Sequence, residues 1–449
     1  MNGGRSLRRA RRNSLLLGEL WRAEGPAGVV DRLRDHFAAA RRRRRFRPTP
    51  LAALPEVAVL RVAAAPPVPW LGGVPAQLGA LMHQQERHRD TALLYPWRDA
   101  LRLEVVADGR RLAARLEGGV GEDDKGELWA AGVERAVTAV GARLVHVEGA
   151  AGLPLPGLLA LARRRPTVLS LHDFALFCPR PNLYDPRRGA PCGYCHDAQT
   201  CRETLLASGH PGAARALGWR ATGAELLAAA RSVVYPSQFL LDAHQKLFGT
   251  AGSQPRVIEP GIEVPRLSPW RWPWTPRTAG PRIAFLGGGG PHKGSLLLAA
   301  VVEEWTRRAL PALRWEVLGS GGAQHLRSLR RLPGVRVRGY YRHGSLGTLL
   351  RERRVALALL LPQVPESFSL SLSESLAAGV PVMAPAQGAL AERLAGGGGY
   401  LLPESASVAD VVAALAEWSA GRSELPPPPP PMPTSGAAAA SFARLFDEL

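Results

Sequence analysis

The chain has 449 residues, enough for two or three domains with sizeable cores. Hydrophobic residues make up 46% of it, and no uninterrupted apolar run reaches the ~18 residues of a membrane span, so a soluble globular protein is expected. The formal net charge is +19, concentrated at the start, where residues 1–50 hold fourteen arginines against four acids and Arg41 to Arg45 is an unbroken run.

Residues 1–50 read as a basic helical extension. Leu15, Leu16, Leu20 and Trp21 can share one helical face, and Val29, Val30, Leu33 and Phe37 another, with Gly25-Pro26 breaking between them. Glu19 cuts short the apolar stretch that follows Leu15, so no secretory signal is expected and a cytoplasmic location is the default. The arginines suit anionic lipid headgroups at the inner face of a membrane, or simply a solvated arm. Nucleic acid is the weaker reading, because neither aromatic interleaving nor a recognised module accompanies the charge.

Residues 51–264 read as a first α/β domain. The strand beginning VAVLRVAA leads into PVPWLGG and a helix through Gln77, Leu78 and Leu81. Further strands follow at ALLYP, LRLEVVA, ARLVHVEG and PTVLSLHDF, with helices at Leu128–Val140 and in PLPGLLALARRR. This alternation predicts a parallel, doubly wound sheet. His172 ends the last of these strands and His146 the one before, at the sheet edge where such folds bind ligands.

The segment 178–201 holds all four cysteines: Cys178, Cys192, Cys195 and Cys201. Cys192-x2-Cys195 is a metal-knuckle spacing, and the segment is too rich in Pro, Gly and charge to build a core of its own. Structural zinc is the expectation, with an iron–sulfur cluster or thiols without metal as alternatives and His196 as a substitute ligand. Helix then dominates Leu205–Ala230, followed by the strand VVYPS, the helix QFLLDAHQKLFG and the closing PRVIEPGI.

A Pro- and Trp-rich linker, 265–280, leads to a second α/β domain, 281–425. Its first strand, RIAFLG, runs into GGGPHKG and a helix from Ser295 to Trp305. A lysine beside a glycine at a helix start can neutralise a diphosphate while the glycines allow close backbone approach, which singles out Lys293. WEVLGSGG, VRVRGY and VALALLL are the next strands. A polyproline spacer, 426–434, precedes a last helix, 435–449, placed to return to the first domain.

The most informative stretch is Pro365 to Glu392. Glu366 lies on a loop with Ser367, Phe368 and Ser369, and Glu374 lies in a short helix from about Leu370 to Ala378. Val380-Pro381-Val382-Met383 then reads as a buried strand, and Gly388 with Glu392 closes the unit. The two acids are ~12 Å or less apart along the chain direction. That span suits a nucleotide-sugar, with sugar hydroxyls at one end, ribose hydroxyls at the other, and helix-start N–H groups for the diphosphate between.

Glu366-x7-Glu374, then Ala377-Ala378-Gly379-Val380-Pro381-Val382, then Gly388-x3-Glu392, resembles the donor-site signature of retaining nucleotide-sugar glycosyltransferases of family 4. The resemblance implies the GT-B fold, two Rossmann-like doubly wound domains with a cleft between them. It implies transfer of a sugar from a nucleotide diphosphate-sugar donor to a carbohydrate, lipid-linked or small-molecule acceptor, in polysaccharide or glycoconjugate synthesis and without a catalytic cofactor. It gives His172, Glu366 and Lys293 catalytic places. Gly72, Gly73, Gly288, Lys293, Ser367, Phe368, Ser369, Glu374 and Glu392 become donor-binding positions, and Tyr340 and Tyr341 base-contact candidates. Some family members likewise follow HDF with CPR and a Cys-rich insertion, on the acceptor side. One departure stands out: most members have an arginine near the position of Gly288. A sugar-nucleotide epimerase and a non-catalytic nucleotide-sugar-binding protein are the alternatives.

Overall fold

The computed structural model describes residues 3–117, 126–192, 197–263, 280–342 and 344–449, with side chains described from residue 18 onward except Trp70. Cys195, His196 and nearly all of the expected linker 265–280 lie outside the described residues. Two compact units result, one formed by residues 38–263 with 432–449 and the other by residues 1–37 with 264–431.

In chain order the helices are α1 (Gly3–Arg44), α2 (Gly73–Gln85), α3 (Glu127–Ala139), α4 (Leu155–Arg164), α5 (Ala198–Ala207), α6 (Ala216–Ala229), α7 (Gln238–Phe248), α8 (Ser295–Arg307), α9 (Ala323–Arg330), α10 (Leu346–Glu352), α11 (Leu370–Ala377), α12 (Gly388–Leu394), α13 (Val408–Ser419) and α14 (Ser435–Glu448). The first unit's strands are β1 (Arg47–Pro48), β2 (Val59–Ala63), β3 (Thr91–Trp97), β4 (Ala100–Ala107), β5 (Arg110–Leu116), β6 (Leu144–Glu148), β7 (Thr167–Ser170), β8 (Tyr184–Asp185), β9 (Ala190–Pro191), β10 (Ser232–Tyr235) and β11 (Pro255–Val257). The second unit has β12 (Arg282–Phe285), β13 (Arg314–Leu318), β14 (Val335–Gly339), β15 (Leu357–Leu359), β16 (Val382–Pro385) and β17 (Gly399–Leu402).

The second unit's sheet runs β14-β13-β12-β15-β16-β17, parallel throughout. Numbered within the unit this is the order 3-2-1-4-5-6, which reverses between β12 and β15. Its core, with Phe285, Leu298, Val301, Val317, Leu359, Met383 and Leu415, is buried and apolar, as a strand layer covered on both faces requires. The polyproline run is packed rather than a bare spacer. Gly398 donates its N–H to the Pro427 carbonyl at 2.7 Å, and a Cβ on Gly397 would lie 2.6 Å from the Pro428 carbonyl oxygen, so Pro426–Pro431 straps the second unit.

The first unit's main sheet runs β1-β5-β4-β3-β2-β6-β7-β10-β11. From β3 to β11 through β2 it is parallel, but β3–β4 and β4–β5 pair antiparallel, which departs from the all-parallel expectation. The cause is loop length. Only Arg98-Asp99 and Asp108-Gly109 connect these strands, too short for a crossover, and Arg98, Asp108 and Gly109 take positive φ as tight hairpins demand. Among the buried acids and bases here, Glu104 accepts from Tyr95 and Arg102 at 2.8 Å each and from Arg42 at 2.6 Å.

α14 belongs to this first unit. Ala439, Phe442, Leu445 and Phe446 pack with Leu81, Leu144, Val168 and Val234. Phe442 and Phe446 pack against His146, tilted and edge-on, and His146 Nε2 lies 2.7 Å from Ser170 Oγ. His146 is fully buried, so its pKa is pushed down to about 3, and burial likewise pushes His244 down to about 4. Both histidines stay neutral in the fold, whereas the unfolded chain takes up their protons below about 6.5. The unfolded state therefore binds more protons as pH falls, and stability falls with it. Urea titrations should give an unfolding midpoint that drops steadily from pH 7 to pH 4.5, and a flat midpoint over that range would contradict this protonation scheme.

Candidate functional site

In open α/β sheets ligands sit beyond the carboxyl ends of the strands at the point where strand order reverses. In the second unit that point is flanked by the loops after β12 and β15. The first carries Gly287–Lys293 and the second Pro362–Ser369.

Three contacts tie these loops together. Gly294, at φ +89, approaches so closely that a Cβ would lie 1.9 Å from the Leu361 carbonyl oxygen. Gln363 N–H donates to the His292 carbonyl at 2.8 Å. Lys293 Nζ donates to Glu366 Oε1 at 2.7 Å, in an ion pair whose side chains are 40% and 16% exposed. Burial, then the charge of Lys293, hold the neighbouring His292 below its ordinary pKa.

The Glu366 loop is built to hold one shape. Ser369 has φ +74, an unfavourable value for a residue with a Cβ, while its hydroxyl caps α11. Arg393 compensates: its guanidinium donates to the Phe368 and Ser369 carbonyls at 2.9 and 3.1 Å and to Ser373 Oγ at 2.7 Å, and stacks 3.9 Å over the Phe368 ring. Gly388, at φ +58, leaves room for the Glu366 backbone, and Ala389 N–H donates to the Glu366 carbonyl at 2.9 Å. The sequence signature thus reads physically: Gly388 is glycine because Glu366 lies against it.

The remaining expected positions divide. Ser367, Phe368 and Ser369 share the Glu366 loop. Glu374 is turned inward, 8% exposed, with Oε2 accepting the Leu346 N–H at 3.1 Å at the start of α10. Glu392 is exposed on α12. Tyr340 donates its hydroxyl to Asp35 at 2.6 Å. Burial, then repulsion by Glu374, raise the pKa of Tyr341.

Gly288 explains its own departure from the arginine pattern. It sits at φ +55 with its N–H donating to the Leu318 carbonyl at 3.2 Å, and a Cβ there would lie 2.1 Å from the Ser320 carbonyl oxygen. The turn Gly319–Gly322 after β13 is pressed against the turn Gly287–Gly290 after β12, backbone against backbone. A side chain at 288 has no room. A cation reaches this turn from elsewhere: Arg32 of α1 donates to Ser320 Oγ at 3.3 Å and stacks 4.6 Å over Tyr340. No sequence spacing announced this long-range contact.

The first unit has a cavity at its own reversal point, between β2 and β6. It has a volume of about 150 Å³, and its lining includes Ala63, Val74, Pro75, Glu148, His172 and Asp173. Gly72, with φ +127, starts α2 beside Gly73, and Val74 and Pro75 of that first turn reach the cavity. His172 Nε2 lies 3.4 Å from Glu148 Oε2, and Arg61 Nε donates to Glu148 Oε1 at 3.0 Å. Although burial opposes it, the neighbouring His146, the His172 hydrogen bond and the Arg61 guanidinium hold the Glu148 carboxyl far below the ordinary carboxylate range. Burial, opposed by the Ala175 N–H, raises Asp173. Glu148 escaped the sequence reading, although a charged residue ending an apolar strand at a reversal point was a usable signal.

In the Cys-rich segment, Cys178 and Cys201 are buried with their sulfurs 3.7 Å apart, and Cys192 donates its backbone N–H to the Leu183 carbonyl at 2.8 Å. Among the described residues no group of three metal-ligating side chains comes together, with Cys195 outside that set.

Residues 280–418 match the family model described as glycosyl transferases group 1. The chain is similar in structure to sucrose-phosphate synthase from Thermosynechococcus elongatus, with a TM-score of 0.58 at 14% identity, covering 87% of this chain and 98% of that one. The catalytic domain of starch synthase IV from Arabidopsis thaliana, bound to ADP and acarbose, gives 0.55 at 11% identity, over 88% and 99%. Anabaena HepE in complex with UDP-glucose gives 0.51 at 15% identity, over 87% and 100%. No curated protein matches the sequence. At these identities the superpositions establish the fold: two Rossmann-like units of GT-B type, the second carrying a glycosyltransferase domain of group 1.

Replacing Gly288 by arginine should cost ~2 kcal/mol or more, from backbone strain and overlap with Ser320. Gly218→Ala, in α6 with open space around it, should be neutral or stabilising by ~0.5 kcal/mol. Urea unfolding of both variants checks the contrast.

Proposed function

We propose that the protein is a retaining glycosyltransferase of family 4 type that moves a sugar from a nucleotide diphosphate donor to an acceptor hydroxyl. The observation that carries this reading is the 2.7 Å pair of Lys293 and Glu366 across the strand-order reversal of the second unit. Each charge is the other's partner in this structure. An arriving diphosphate takes Lys293, and Glu366 is released to accept hydrogen bonds from sugar hydroxyls. The departing diphosphate gathers negative charge, which the lysine stabilises without a protein nucleophile. Glu374 serves the ribose end after exchanging its Leu346 contact, and Glu392 flanks it. His172, held by Glu148 beside the first unit's own cavity, is assigned a catalytic part in the transfer. The acceptor is a carbohydrate, lipid-linked or small-molecule hydroxyl of polysaccharide or glycoconjugate synthesis, and the site faces the cytoplasm.

Incubation with a panel of nucleotide-sugars, including UDP-glucose and ADP-glucose, should release nucleoside diphosphate, with the anomeric configuration of the product retained by NMR. Lys293→Met should lower kcat/KM by roughly 10² to 10³. Donor epimerised at C2 would favour the epimerase reading, and tight binding without turnover the non-catalytic one; either result would displace the transferase assignment.

Structural zinc at the cysteines is proposed alongside. In a tetrahedral zinc–thiolate site with bonds of ~2.3 Å, sulfurs lie ~3.8 Å apart. The 3.7 Å separation of Cys178 and Cys201 fits one such edge, with the Cys192-x2-Cys195 knuckle supplying the others. Elemental analysis should find one zinc per chain, and Cys201→Ser should lose it together with several degrees of thermal midpoint. Metal-free protein of unchanged stability would remove this assignment.

A further inference from the structure

The N-terminal extension carries a charge arrangement that the transferase reading leaves unused. α1 kinks at Gly25, where φ is 76° and ψ 171°. Around the kink three of the four acids before residue 50 are buried: Glu24, Asp31 and Asp35. All three are ion-paired within the second unit. Glu24 takes Arg32, Asp31 takes Arg338, and Asp35 takes Arg342 at 2.8 Å and the Tyr340 hydroxyl at 2.6 Å. Gly28 lets the helix lie on β14, since a Cβ there would meet the Arg338 carbonyl oxygen at 2.8 Å.

The opposite face is left bare, with the other sign. Val30, Leu33 and Phe37 are 41%, 38% and 59% exposed and stand at i, i+3 and i+7, one stripe of a helix. Trp21 is 53% exposed on the turn before the kink. Arg34 follows Leu33, and Arg41 and Arg44 lie four and seven residues beyond Phe37, all exposed. An apolar stripe flanked by arginines, with its acids turned inward and neutralised, is complementary to an anionic, apolar-backed surface. Nucleic acid would be matched by the arginines alone, and a second copy of the chain would bring the same positive charge to the contact. Among the described residues no helix is long and apolar enough to cross a membrane, so the contact is one of lying on a surface.

We propose that the exposed face of α1 from Val30 to Arg44 is a docking surface for an anionic lipid bilayer, with Leu33 and Phe37 entering the headgroup–acyl boundary and Arg41 and Arg44 meeting lipid phosphates. The test is co-sedimentation of the full chain with vesicles of phosphatidylglycerol and phosphatidylcholine in equal parts, against pure phosphatidylcholine, at about 0.1 M salt. Wild type should pellet with the anionic vesicles and stay in solution with the neutral ones. Leu33→Ser with Phe37→Ser should weaken the partition more than tenfold, and Arg41→Gln with Arg44→Gln about 25-fold, with circular dichroism and thermal midpoint unchanged. Absence of pelleting with anionic vesicles overturns the proposal whatever the variants do. So does equal pelleting of all variants, self-association abolished by the serine changes, or binding to an oligonucleotide that vesicles fail to displace.

Discussion

The contact on which the functional half of the molecule turns is the ion pair of Lys293 and Glu366. It is not there for stability. The lysine is 40% exposed, and an ion pair in that setting contributes ~0–1 kcal/mol. The loops that carry the two residues are fixed by other means: Gly294 against Leu361, Gln363 on His292, Arg393 over Phe368, and Gly388 beneath Glu366. A weak, half-solvated pair on a rigid frame is easily opened by a ligand that offers each charge a better partner. Rigidity around a replaceable contact is what a binding site for a diphosphate and a polyhydroxylated sugar requires, because the frame costs little reorganisation when the ligand arrives.

The two units place their candidate residues by the same rule. Each sheet reverses its strand order once in its parallel part, and each reversal is flanked by a glycine turn and an acid. In the second unit these are Gly287–Gly290 and Glu366; in the first they are Gly72-Gly73 and Glu148. The acids differ in duty. Glu366 faces a lysine at the surface, whereas Glu148 is buried with Arg61 and between two histidines, His146 and His172. Desolvating that carboxylate is costly, and Arg61 offsets the cost, so His172 is presented to the cavity with its ring already oriented.

Much of this was legible in the sequence, for identifiable reasons. Glu366, Glu374, Gly388 and Glu392 lie within one short stretch, and Lys293 ends a glycine loop after a strand, so local spacing was enough to single them out as candidates. What spacing could not carry was contact at long range. Arg32 reaches Ser320, and Asp35 reaches Tyr340 and Arg342, across some three hundred residues, and nothing in a linear pattern links them. The hairpins β3–β4 and β4–β5 were missed because their strands have the apolar content of parallel ones, and only the two-residue connections reveal the turn. The inward Glu374 shows the opposite limit: its position in the motif was plain, but its present partner, the Leu346 N–H, lies in a segment the motif does not include.

The missing arginine shows how such limits resolve into physics. From sequence, Gly288 is a lost cation. In the fold it is the point where two glycine turns meet, with the Ser320 carbonyl where a Cβ would stand, and a substitution there would push the turns apart. A guanidinium does stand beside the turn, that of Arg32, paired with Glu24 on a helix outside the group 1 domain. That helix can approach because its acids pair with Arg338 and Arg342 on and beside β14, which neutralises the contact face, while Arg34, Arg41 and Arg44 stay outward. One extension therefore meets two demands. Its inner face sets a guanidinium beside the second unit's glycine turn, and the positive charge of its outer face follows from turning the acids inside.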